Sequence, residues 1–154
     1  MSIDKLKSLL SDFDPSALLP QLDSMMGKVE LVLRLVVLIG PLCLLVLGAI
    51  YLFIPPKEAN HHFGYRCYHG MGSVEAWRFT QKAAGIAWGG LGLVLTVVML
   101  IICGTFGGRE MDQLVWTAAK CVLWELGLIA VSCIAIDILV AATFDKKGRR
   151  RRKK

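Results

Sequence analysis

Two stretches without a single charged side chain decide most of what this chain can become. Leu35 to Pro56 is uncharged for 22 residues and Ala83 to Gly108 for 26. A helix crosses ~30 Å of hydrocarbon with about 20 mostly apolar residues, so each run is long enough for one span. Pro55–Pro56 closes the first run, with Gly40–Pro41 expected to bend it, and Gly107–Gly108 closes the second. A third apolar run, Cys121 to Phe144, is interrupted by Glu125 and Asp137 and still has the length of a span. The composition agrees: 55% of the 154 residues are hydrophobic and 19% charged. A soluble domain carries nearer a quarter charged residues, which argues against a soluble enzyme or a disordered regulator. The expected fold class is an all-α membrane protein. It has three transmembrane helices, near residues 33–55, 84–106 and 121–144, within a membrane domain of residues 29–144.

The net charge of +6 belongs to one end of the chain. Eight of the 18 Lys and Arg residues lie between Lys146 and Lys154, and the remainder of the chain is acidic by two. This basic tail, residues 145–154, is a topology signal and a contact for anionic lipids rather than a nucleic-acid surface. Cytoplasmic segments collect Lys and Arg, so the tail is expected inside. With three spans the loop 57–82 is then also inside, and the N-terminus is outside. Residues 1–28 hold Ile3, Leu6, Leu9, Leu10 and Phe13 at roughly helical spacing. Either an interfacial helix broken at Pro15 and Pro20 or a loose tail fits that pattern. The first span is too long, and too far from the start, for a cleaved signal peptide. Five cysteines in odd number, without a CxxC pair, give no disulfide framework.

The loop from Asn60 to Trp77 concentrates aromatics, histidines and glycines as no other part of the chain does. Ser73 is a good N-cap, and Glu75 suits the positive end of a helix running from Val74 into the second span. His61, His62, Cys67 and His69 offer nitrogen and sulfur donors, but their spacing is not that of a structural zinc site. Cys67 and His69 lack an orienting third group for nucleophilic catalysis. No metal, cofactor or enzymatic activity is expected.

Phe63-Gly64-Tyr65-Arg66, then Met71-Gly72-Ser73-Val74-Glu75-Ala76-Trp77, then Phe79, Lys82 and Gly85 resemble the signature of the SdpI-like family of bacterial membrane proteins. Asn60 opens the same pattern. Cys67 stands where that family usually has Thr, Gly70 where it often has Ser, and Thr80–Gln81 where Ala–Asn is common. The resemblance implies an immunity or sensor protein of the bacterial cytoplasmic membrane, acting by binding. Its partners would be a membrane-active peptide toxin and a cytoplasmic transcriptional regulator. Candidate binding residues on this reading are Asn60, Phe63, Gly64, Tyr65, Arg66, Ser73, Glu75 and Trp77.

Three further features carry weight beside the resemblance. Carboxylates at membrane depth are costly and normally have a partner or a wet cavity. Glu125 is expected at a depth Arg34 can reach, and Asp137 near Arg66. The two carboxylates are 12 residues apart, hence about 18 Å along a helix, so they cannot share a site. Two structural ion pairs, or a proton or ion path in a small transporter or channel subunit, are the two readings. Arg66 itself suits either a carboxylate or a lipid phosphate. Gly85, Gly89 and Gly92 form a small-residue face suited to close helix packing, within the three-helix unit or in a homo-oligomer.

Overall fold

The computed structural model describes residues 15–56 and 64–151, with side chains from Ser24 onward. Three helices carry the described residues: α1, Pro15–Phe53; α2, Val74–Gly104; and α3, Met111–Thr143. All three are long and apolar enough to cross a membrane, and no strand occurs among the described residues. At 1.5 Å per residue α2 is about 46 Å long, more than the hydrocarbon thickness, so its ends extend into the headgroup regions. Glu125 and Asp137 do not break α3, which begins at Met111 and runs unbroken past both.

The break considered at Pro20 is absent: α1, described from Pro15, continues through it. Pro20 forfeits one backbone hydrogen bond, a small loss in so long a helix. Residues 1–14 lie outside the described part of the chain.

Small residues set the closeness of α1 and α2. A Cβ built on Gly48 would come within 2.2 Å of the Gly89 backbone nitrogen. One on Gly92 would come within 2.5 Å of the Leu45 nitrogen, and one on Gly85 within 2.9 Å of the Leu52 side chain. The glycine face of α2 is thus occupied by α1 of the same chain. In lipid, where apolar burial between helices gains little, this backbone approach lets dispersion and packing hold the pair. The core between the helices includes Val37 and Leu44 of α1, Trp88, Leu95 and Met99 of α2, and Leu114, Ile136 and Val140 of α3. Large apolar side chains such as Leu31, Ile39, Leu93, Ile101, Leu123 and Ile138 face outwards instead. So broad an apolar exterior is solvated by lipid rather than water.

Candidate functional site

The motif loop is folded onto the ends of α2 and α3. Ser73 adopts an extended backbone at the N-cap of α2, and its Oγ accepts from the Ala76 N–H at 3.1 Å. Glu75 occupies the first helical turn. Trp77, fully buried, donates from Nε1 to the Pro56 carbonyl at 3.0 Å and so pins the end of α1 against α2. Gly64 lies over the Trp77 ring with φ of 121°, and a Cβ there would lie 2.6 Å from the ring. Only glycine combines that backbone with that proximity at no strain.

Gln81 holds the next residue. Its Nε2 donates to the Tyr65 carbonyl at 2.7 Å, and its Oε1 accepts from the Tyr65 N–H at 2.8 Å. This two-point clamp mimics a strand pairing and satisfies a fully buried amide with one backbone residue. The sequence marked Gln81 only as a departure from the family pattern. A polar side chain at the mouth of an uncharged run was the available signal.

Tyr65, so held, reaches α3. Its ring meets Trp88 edge-on at 5.3 Å, and its hydroxyl donates to Asp137 Oδ1 at 2.8 Å. The Cys133 carbonyl lies 3.1 Å from the same hydroxyl. Burial, then the hydrogen bond and charge of Asp137, push the Tyr65 phenol well above its ordinary range, so it remains a donor. Asp137 therefore takes its hydrogen bond from Tyr65, and the expected approach of Arg66 gives way to that of its neighbour. The reason is side-chain direction: Tyr65 points inwards against Trp88, and Arg66, the next residue, is exposed. Asp137 is likewise exposed and lines a shallow depression of about 260 Å³ with Cys67, Tyr68 and His69. Burial pushes the Cys67 thiol up, which keeps it a weak nucleophile beside His69. Among the described residues no three His, Cys, Asp or Glu side chains converge as a metal site. Asn60, His61, His62 and Phe63 lie outside the described residues.

The basic tail begins as an ordered turn. Asp145 Oδ1 accepts from the N–H groups of Arg149 and Lys147, at 2.8 and 2.9 Å, which hold its carboxyl below the usual range. The Arg151 N–H returns to the Thr143 carbonyl at 2.8 Å. Gly148, with φ of 68°, lies against Gly72, and the Ser73 hydroxyl donates to the Gly148 carbonyl at 2.7 Å. Ser73 thus caps α2 and ties down the tail with the same oxygen. Motif loop and tail share one end of the bundle.

Residues 57–142 match the SdpI/YfhL protein family. That is more than half of the chain. The chain belongs to the SdpI/YfhL protein family. No curated protein and no solved structure matches it.

The departures of this SdpI/YfhL member from the pattern its loop resembles are neighbours in space. Cys67 Sγ lies 3.9 Å from Thr80 Oγ1, and a Cβ on Gly70 would meet that hydroxyl at 2.4 Å and the sulfur at 2.8 Å. The other charged residues of interest lie away from this end. Glu125 is 3% exposed, and its Oε1 has no hydrogen-bond partner among the described residues. A Cβ on Gly40 would come within 2.7 Å of its Oε2, so the carboxyl lies directly against the α1 backbone. Arg34 is engaged by Glu30, one turn earlier on α1, rather than by Glu125. An i,i+4 acidic neighbour on the same helix is always within reach, which a residue on another helix is not.

Proposed function

We propose that this SdpI/YfhL-family membrane protein is an immunity or sensor protein that works by binding. The ligand class is a membrane-active peptide toxin, and the response is passed to a cytoplasmic regulator. The observation that supports this is the continuity of one end of the bundle. Tyr65 joins the motif loop to α3 through Asp137, and Ser73 joins the same loop to the basic tail. A ligand that moves α3 against α2 therefore has a route to the loop and tail surface. That surface, exposing Arg66 and Tyr68 beside a basic turn, suits docking of an acidic face of a regulator. The positive-inside rule puts it in the cytoplasm and the N-terminus outside.

The test is expression in a sensitive bacterium challenged with candidate peptide toxins. Wild type should protect, and Arg66→Ala and Tyr65→Phe should protect less at equal membrane abundance. Failure of the wild type against every toxin, or full protection by both variants, would count against the binding reading.

A second reading, a small transporter or channel subunit, draws on Glu125. A buried carboxyl oxygen without a hydrogen-bond partner is unusual and is often functional in membranes. Proton-gradient-dependent solute flux in vesicles, lost in Glu125→Gln, would favour it over the first.

A further inference from the structure

Lys82 stands where two grooves meet. On one side, the end of α1 and the start of α2 enclose a cleft of about 450 Å³, lined by Tyr51, Leu52, Pro55, Pro56, Arg78 and Lys82. On the other, α2 and α3 leave a groove of about 470 Å³ beneath Lys82, walled by Phe79, Ile86 and Leu139 and floored by Ala83 and Ala87. The two alanines make the groove, because they leave the width of a larger side chain unfilled between the aromatic ring and the leucine.

The charges at this place are arranged for an anion. Arg78 and Lys82 are exposed and lie one helical turn apart, a spacing of about 5–6 Å between Cβ atoms. Among the described residues neither has an ion-pair partner, and no acidic side chain lines either groove. Their depth is set by the sequence. Lys82 is the last charged residue before the uncharged run that starts at Ala83, and Pro55–Pro56 ends the first run beside it. Lys82 therefore lies at the boundary between hydrocarbon and headgroups, where its stem can lie along apolar surface and its ammonium reach phosphate. From that point the α2–α3 groove leads into the apolar zone.

A molecule with a phosphate at the boundary and a hydrocarbon chain below it matches this geometry. We propose that Arg78 and Lys82 bind the headgroup of an anionic glycerophospholipid, one acyl chain of which lies in the groove between Phe79 and Leu139. Net negative charge is favoured because two cations face the headgroup and, among the described residues, no carboxylate lines either groove to meet a lipid ammonium. The guanidinium grips two phosphate oxygens, and the ammonium adds a point charge. The site is distinct from the basic tail and independent of the role proposed above.

The test uses the full chain in bilayers of equal parts phosphatidylglycerol and phosphatidylethanolamine, extracted in mild detergent and weighed by native mass spectrometry. Wild type should retain phosphatidylglycerol in preference to phosphatidylethanolamine. R78Q/K82Q should retain less, by about fivefold per cation removed. The charge-conserving R78K/K82R should stay close to wild type, and the tail variant K147Q/R149Q should lose clearly less than R78Q/K82Q. Three results would overturn the proposal: equal retention of both lipids by the wild type, wild-type retention by R78Q/K82Q, or an equal loss in the tail variant. The first of these is read on wild-type protein and needs no variant to fold.

Discussion

Tyr65 makes the contact with most leverage for its size, one hydroxyl joining the loop to a helix that begins 46 residues later in the chain. A hydrogen bond to a charged group contributes about 1.5–3 kcal/mol, and the exposure of Asp137 puts this one at the lower end. Tyr65→Phe and Asp137→Asn should each lower the melting temperature in detergent, and the double variant should lose less than the two losses combined. Strict additivity would mean that the two side chains do not act on each other. The pH dependence has a definite sign. With the folded phenol raised, the stabilisation is complete below the ordinary phenol range and is lost as pH rises through the folded value. The advantage of wild type over Tyr65→Phe should therefore hold up to about pH 9 and shrink as pH rises above about 10, read as the gap in melting temperature. A second prediction concerns the departures from the family pattern. Gly70 has no Cβ where one would lie 2.4 Å from Thr80 Oγ1. Gly70→Ser should thus cost about 1–3 kcal/mol by overpacking. Thr80→Ala, which removes the nearest obstructing atom, should restore part of it, the Cys67 sulfur at 2.8 Å remaining in the way. If the whole loss persists in Gly70→Ser/Thr80→Ala, the two positions are not coupled. None of this partnership is legible in a single sequence, because Gly70 and Thr80 are brought together only when the loop folds back on α2.

The α1–α2 pair depends on where glycines stand rather than on how many there are. Gly92 faces Leu45 with backbone atoms 2.5 and 2.8 Å from where its Cβ would be, and Gly90, two residues away, faces open space. Gly92→Ala should force the helices apart at a cost of about 1–3 kcal/mol. Gly90→Ala should be neutral or stabilising by up to about 1 kcal/mol, since alanine is the better helix former. Thermal melts of both variants check this, and equal destabilisation would argue against a glycine-specific contact at Gly92. At this scale the sequence was most informative. Hydropathy is a property of each run by itself, so three apolar helices could be read without knowing their partners. Ser73 was legible as a cap for the same reason, its acceptor role lying three residues along the chain. The occupant of the glycine face was not. Gly48, which meets Gly89, has no small residue four positions away to advertise a packing face. Arg34 was misleading for a related reason: depth along a span suggested Glu125, whereas Glu30 on the same helix is nearer.

Across the whole molecule, the two ends of the bundle differ in chemistry, and the difference fixes how it should sit in a membrane. One end gathers Pro56, the motif loop, the start of α2 and the turn from Asp145 to Arg151, joined by the contacts of Trp77 and Ser73. The other holds the short connection from Thr105 to Glu110, where Arg109 bonds Thr105 and Thr117. Because Ser73 touches Gly148 directly, loop and tail lie on the same side whatever the orientation, and that side carries the Lys and Arg excess. On the positive-inside rule that side is expected in the cytoplasm, with the connection between α2 and α3 outside. Single cysteines at Asp112 and at Tyr68, both exposed, report on the two ends. A membrane-impermeant maleimide applied to intact bacteria should label Asp112→Cys and miss Tyr68→Cys, and both should react after lysis. The native Cys67 is a poorer probe than Tyr68→Cys, since partial burial and a raised thiol would slow its reaction on either side. The opposite pattern would invert the orientation and move the loop and tail outside, away from any cytoplasmic regulator. Labelling of both positions in intact cells would mean that α2 does not separate them across the bilayer, and the three-span arrangement itself would fall.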